Sequence, residues 1–327
     1  MAPTANGGNA RGTLAEAAAS LFLALSLYWA VRALGVFGMP FALFAPVPLA
    51  ALAVRRGERV MLAAALVGAA FEFGLGSDGA AVAFLVAVAA PALLVARCLT
   101  LRWRPELAVG LSAALLTVTV LAAIELTTPG GMRQVTNRFV DETIREYAVA
   151  APKDPALATF REHAAEISRN MYRFSPVAFM FTGMALGTAS LLMTRRIFRR
   201  YPHPAVGEMQ PITEWYLPDT WIWYLIAVAA PLAIGGLGAP LSGALPVVAG
   251  NLLGILLLAY ALQGWAVMAH YFRRAATHPA LQVAFYALFL IPPAPLFLLP
   301  SLALTGVFDI WVDSRQVRGG KGETPAG

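Results

Sequence analysis

Between Asp219 and Arg273 the chain carries no Asp, Glu, Lys or Arg, and the fifty residues from Thr220 to Ala269 are almost wholly apolar. A soluble core has no use for such a run. It fits two passes through a bilayer, each needing about 20 apolar residues, with the Gly- and Pro-rich stretch Gly235–Pro246 as the turn between them. A second uncharged run, Ala275–Phe308, follows. Composition agrees: 59% of residues are hydrophobic and 13% charged, about half the charge of a soluble domain. Such a chain is expected to be an all-α, polytopic helical membrane protein.

Apolar runs place membrane helices near Leu14–Leu34, Phe41–Val54, Val60–Phe73, Ala80–Ala96, Leu107–Leu126, Phe174–Met193, Thr220–Ile234 and Leu245–His270, with a last stretch at Ala275–Val312. That makes about nine or ten membrane segments. Phe41–Val54 and Val60–Phe73 are short for spans, so tilting or burial inside the bundle is expected of them. Leu14–Leu34 is too long for a secretory h-region and reads as a first helix that stays.

Four basic clusters alternate with loops free of Lys and Arg. They are Arg55/Arg56/Arg59, Arg97/Arg102/Arg104, Arg195/Arg196/Arg199/Arg200 and Arg273/Arg274. Cytoplasmic loops carry the Lys/Arg excess, so these clusters and the N-terminus are expected inside a bacterial inner membrane. The net charge of +6 therefore reads as topology, not as a nucleic-acid face. In the last stretch, Ile291-Pro292-Pro293-Ala294-Pro295 should break a helix. A hairpin there returns the tail to the cytoplasm; a single kinked span does not.

The expected division is a tail (1–13), N-terminal membrane helices (14–126), a polar insertion (127–173), C-terminal membrane helices (174–315) and a second tail (316–327). The insertion carries seven basic and six acidic residues. Val140, Ile144 and Tyr147, and then Leu157, Phe160, Ala164, Ile167 and Met171, recur at helical spacing. They predict two amphipathic helices joined around Pro152–Pro155 on the outer side.

Polar groups inside a bilayer are costly and mark candidate sites. Arg32, Glu72, Glu125 and Asn251 all fall toward the outer level. With nearby aromatics such as Tyr28, Trp29 and Phe71, they are candidate anchors of an outward-facing ligand pocket; snorkelling at the interface is the plainer alternative for the charged three. Gln263 lies deeper, as expected of an interhelical hydrogen bond. His270 reads as an interfacial residue, with a proton relay as the other option. Gly183/Gly187, Gly250/Gly254 and Ala15/Ala19 have the spacing of close helix contacts. One cysteine, Cys98, excludes an internal disulfide, and the four scattered histidines suggest no metal site. GxSxG, HExxH and P-loop motifs are missing from the sequence, so no catalytic residue, enzymatic activity or cofactor is expected. An ATP-driven role would need the ATPase in trans.

The second half contains Trp215-Tyr216-Leu217-Pro218-Asp219, then Leu262-Gln263-Gly264-Trp265-Ala266-Val267, then Gly306-Val307-Phe308-Asp309-Ile310-Trp311-Val312-Asp313-Ser314-Arg315. This order resembles the YybS-like family of bacterial polytopic membrane proteins of unknown function. The resemblance marks Trp215, Pro218, Gln263, Gly264, Asp309, Asp313 and Arg315 as motif positions. Trp265 and Ser314 depart from the usual residue types. The segment from Phe44-Ala45-Pro46-Val47-Pro48-Leu49 to Arg55-Arg56-Gly57 is similar to the early part of substrate-binding (S) components of energy-coupling-factor transporters. That likeness implies capture of a small molecule from outside, with a coupling subunit and ATPases as partners and Ala15/Ala19 at the packing position. It does not account for the polar insertion or the extra C-terminal spans. The alternative is a non-catalytic scaffold of the cell envelope.

Overall fold

A computed structural model describes residues 7–34, 38–75, 78–207, 211–236, 244–288, 294–312 and 315. Among the described residues every regular element is helical. The chain divides into two compact units, Met1–Met209 and Gln210–Gly327.

The first unit begins with α1 (Gly7–Leu34), a short α2 (Met39–Ala42), α3 (Pro46–Arg56) and α4 (Glu58–Gly74). Proline at the first position of α3 suits a helix start, where its missing N–H costs nothing. Gly57, at φ +92°, turns the chain sharply into α4. Val47, Leu49, Leu52, Ala53 and Val54 are all buried. The short run expected near Phe41–Val54 is therefore an interior helix, apolar on every side because the bundle surrounds it.

α5 (Asp78–Phe84) leads through a π-helical turn, Leu85–Ala89, into α6 (Ala90–Leu101). The widened turn sits just before Pro91, which has no N–H for an ordinary helical bond. Arg102, left-handed at φ 56°, ends α6, and Pro105 opens α7 (Pro105–Thr127). Ion pairs tie polar ends together: Glu16 with Arg55 (3.3 Å) and Arg56 (2.7 Å), and Glu58 with Arg97 (2.9 Å). All are partly exposed, and pairs of this kind contribute about 0–1 kcal/mol.

α8 (Gly131–Ala150), α9 (Pro155–Glu162) and α10 (Ala164–Arg200) complete the unit. The expected turn around Pro152–Pro155 is present. The boundary expected at 173/174 does not interrupt the chain, because α10 is one 37-residue helix running through it. A change from charged to apolar surface alters what surrounds a helix, not its backbone. Conversely, the stripe from Leu157 to Met171 is divided at His163, between α9 and α10. α10 lies close against α7. A Cβ on Gly183 would stand 2.5 Å from the Cα of Ala113, and one on Gly187 3.3 Å from the Cβ of Ser112. The Gly183/Gly187 spacing is thus a real contact.

The second unit holds a 3-10 turn at Ile212–Glu214, then α11 (Trp221–Gly236), α12 (Leu245–Arg274), α13 (Pro279–Ala287) and α14 (Ala294–Val312). Its core gathers Leu217, Ile222, Tyr260, Ala261, Leu302, Ala303 and Ile310. Residues 291–293, the centre of the expected proline break, lie outside the described residues, and so does the hairpin question.

Five described helical stretches are long and apolar enough to cross a membrane: Ala10–Ala30, Gly79–Leu101, Pro105–Thr127, Ala164–Arg200 and Leu245–Arg274. Trp221–Gly235 and Phe297–Val312 are shorter apolar helices. The fold is that of a polytopic helical membrane protein.

Candidate functional site

Glu72 lies near the end of α4 and is fully buried. The indole Nε1–H of Trp29, from α1, donates to its Oε1. The preceding residue on α1, Tyr28, sets its ring edge-on to Phe84 at 5.6 Å and donates its hydroxyl to the Ala80 carbonyl (3.4 Å). Gly68, one turn before Glu72, lets Phe84 approach so closely that a Cβ there would be 2.7 Å from the ring. The Glu72 carboxyl on α4 is thus tied to α1 through Trp29, and residues next to both, Tyr28 and Gly68, pack on Phe84 of α5.

The other expected anchors have their own surroundings. Arg32 lies one turn beyond Trp29 on α1, and its side chain falls outside the described part of the structure. Glu125 is exposed at the end of α7, and its Oε1 accepts the Met132 N–H (3.1 Å). It caps the first turn of α8, where a negative charge is favourable. Asn251 belongs to the second unit and donates to the Val247 carbonyl of its own helix (2.8 Å). Glu72 and Glu125 therefore hold separate partners.

The second unit carries a denser polar centre. Gln263 on α12 accepts from the Leu217 backbone N–H (3.1 Å) and donates to Asp309 Oδ2 on α14 (3.2 Å). The same carboxylate oxygen accepts from Arg315 Nη2 (2.6 Å) and Nε (3.2 Å). Arg315 Nη1 donates to the carbonyls of Thr213 (2.8 Å) and Trp215 (2.9 Å). Gln263, Asp309 and Arg315 are 2%, 5% and 7% exposed. A buried ion pair needs this many partners to offset its desolvation.

The three motifs noted in the sequence thus meet here. Trp215 offers a carbonyl, and the carbonyl of the exposed Pro218 accepts from Trp221 N–H (2.9 Å) to start α11. Gly264 brings α12 against the backbone of Leu302. Asp313 lies outside the described residues. Gln263 has the bridging role expected of it. His270 makes a ring contact with Tyr271 at 5.6 Å. The sequence did not point to Thr213, because its part is played by a backbone carbonyl that every residue possesses. Gly306, the first residue of the last motif, packs against the backbone of Tyr260.

In the polar segment, Asp154 caps α9 by accepting from Ala156 N–H (2.8 Å), and it also accepts the Tyr147 hydroxyl. The Tyr147 hydroxyl first, and the Ala156 N–H second, hold its carboxyl below the usual aspartate range. A lowered pKa means that the cap is complete above the ordinary aspartate value near 4 and fails as pH falls through the lower folded value. Amide exchange should therefore show Ala156 protected at neutral pH and losing protection in strong acid. In Asp154→Ala the protection should be low at every pH.

Among the described residues no group of His, Cys, Asp and Glu is arranged to hold a metal ion. Comparison with curated proteins and with solved structures returns no match. A family profile described as "Predicted membrane protein (DUF2232)" matches residues 18–310. With most of its length inside that match, the chain belongs to the DUF2232 family of membrane proteins.

Proposed function

We propose that this protein is a substrate-binding, S-component-like subunit of a small-molecule uptake system in the bacterial inner membrane, N-terminus inside. It performs no chemistry itself; a coupling subunit and ATPases act in trans. The observation that supports this reading most is Glu72. A carboxylate inside an apolar bundle is expensive, and such groups are kept for function. Its Trp29 donor and the Tyr28–Phe84 wall provide the few polar contacts and many apolar ones that a small-molecule site needs. The ligand class that suits it is cationic or rich in hydrogen-bond donors.

Two measurements test this. A pull-down in mild detergent should recover a membrane coupling subunit with ATPases. Native mass spectrometry of the full-length protein should show a copurified small molecule that Glu72→Gln loses while the fold is retained. Failure to recover partners, with identical spectra for parent and variant, would overturn the proposal and leave the envelope scaffold as the better reading.

A further inference from the structure

The polar segment is joined to the membrane helices at two places, and both are built unlike the helices around them. On the α7 side the link is Thr128-Pro129-Gly130-Gly131, with both glycines at positive φ, +78° and +57°. L side chains avoid that conformation, so the link is a bend that ordinary residues would resist. On the α10 side the joint is Ser175-Pro176. Proline inside a helix removes the bond to the carbonyl four residues earlier, here that of Tyr172. Ser175 Oγ supplies a replacement donor to that carbonyl at 2.9 Å. The helix continues through a turn held by one side-chain hydroxyl in place of a backbone bond.

The position of this joint is informative. α10 has 37 residues, a length of about 55 Å at 1.5 Å per residue. Only about 20 residues are needed to cross the hydrocarbon. The uncharged part of α10 begins at Phe174, just after Arg173, so Ser175–Pro176 lies at its border. The other joint leads directly out of α7, also an apolar helix.

Between the joints the segment is braced. Ser168, on α10 before the proline, donates to Thr136 Oγ1 (3.3 Å) and to Asn137 Oδ1, both on α8. Thr136 and Ser168 are buried. The Tyr147–Asp154 bond ties the end of α8 to the start of α9. Two hydrogen bonds reach across the glycine bend: Gly131 N–H donates to the Thr128 carbonyl (2.8 Å), and the Glu125 side chain, on α7, accepts from Met132 N–H through Oε1.

We propose that residues 132–174 move as one rigid lobe on two hinges, Gly130–Gly131 and Ser175–Pro176, with Glu125 as the side-chain latch that holds the observed position. This does not depend on the uptake reading. It assigns Glu125, Ser175 and Pro176 to one conformational device. Glu125→Ala frees the lobe, and Pro176→Ala stiffens it by restoring the backbone bond to Tyr172.

Pulsed electron spin resonance on the full-length protein in nanodiscs tests it, on a Cys98→Ser background. Labels on Val118→Cys and Arg145→Cys report the lobe against α7; labels on Arg145→Cys and Arg169→Cys report distances within the lobe. All three parent side chains are exposed. The within-lobe distribution should be narrow in every variant. The lobe-to-α7 distribution should be broader in the parent, broader again in Glu125→Ala, and narrower in Pro176→Ala. A lobe-to-α7 distribution as narrow as the internal one and unmoved by Glu125→Ala would overturn the proposal. So would an internal distribution that broadens with it. The Glu125→Ala arm decides the matter even if Pro176→Ala does not fold.

Discussion

Arg315→Met should destabilise the second unit by about 3–5 kcal/mol, the range expected when one partner of a buried ion pair is removed. The Arg315 and Asp309 side chains are 1% and 4% exposed. Without the guanidinium, the buried Asp309 carboxyl has Gln263 as a remaining donor, and the Thr213 and Trp215 carbonyls lose theirs. Arg315→Lys should recover little of the loss. The arginine serves Asp309 and two carbonyls from a planar fork, and an ammonium on a flexible stem does not reproduce that geometry.

Thermal unfolding in detergent, followed by tryptophan fluorescence, gives the comparison. Asp309→Leu alone should be similarly damaging, since it leaves the arginine buried with carbonyls only. Combined with Arg315→Met it should cost less than the sum of the two, because no unpaired charge then remains. Gln263→Leu should cost about 1 kcal/mol, typical of one interhelical hydrogen bond in a membrane protein. Single variants within about 0.5 kcal/mol of the parent, the scatter of ordinary surface changes, would mean that the centre does not hold the unit together.

The residues of this centre were legible in the sequence, but their pairing was not. Asp309 and Arg315 stand out because they end a long uncharged stretch, and Gln263 because an amide inside such a stretch needs a partner. What joins them is a tertiary arrangement with backbone carbonyls 100 and 102 residues from Arg315 in the chain. Glu72 was equally visible as a costly carboxylate. Its donor Trp29 looked like one aromatic among several, since only the packing of α1 on α4 separates it from Phe71, which is exposed. Depth in the sequence makes Glu125 a candidate pocket anchor or a residue snorkelling to the interface, and it does not separate the two. The two glycines that follow place the start of α8 beside its carboxylate, and it became a helix cap. The membrane character was the most legible feature, because hydrocarbon tolerates so few residue types. The path of the backbone was less so: α3 has the apolarity of a span and the length of a core helix, and α10 crosses a compositional boundary without a break.

Gly264→Ala should be the most damaging single-methyl change among the described helical glycines of α12 and α14, with Gly306→Ala close behind. A Cβ on Gly264 would fall inside the contact radius of the Leu302 carbonyl oxygen and lie 2.7 Å from its carbonyl carbon. A Cβ on Gly306 would overlap the Tyr260 carbonyl oxygen and lie 2.9 Å from the Gly264 nitrogen. The obstacles are backbone atoms, so no rotamer change relieves them. α12 and α14 must move apart, and the polar centre spans those helices: the Gln263–Asp309 bond is already 3.2 Å and weakens as they separate. Overpacking alone costs about 1–3 kcal/mol, and loss of polar contacts adds to it. Gly110→Ala provides the control. It too lies within a long apolar helix, but nothing stands within 4 Å of its added Cβ; there, alanine should be neutral or stabilising by up to about 1 kcal/mol. A melting point lowered by Gly264→Ala and unchanged or raised by Gly110→Ala would establish the close approach of α12 and α14. Equal tolerance of both would refute it, and with it the geometry that lets Gln263 reach Asp309.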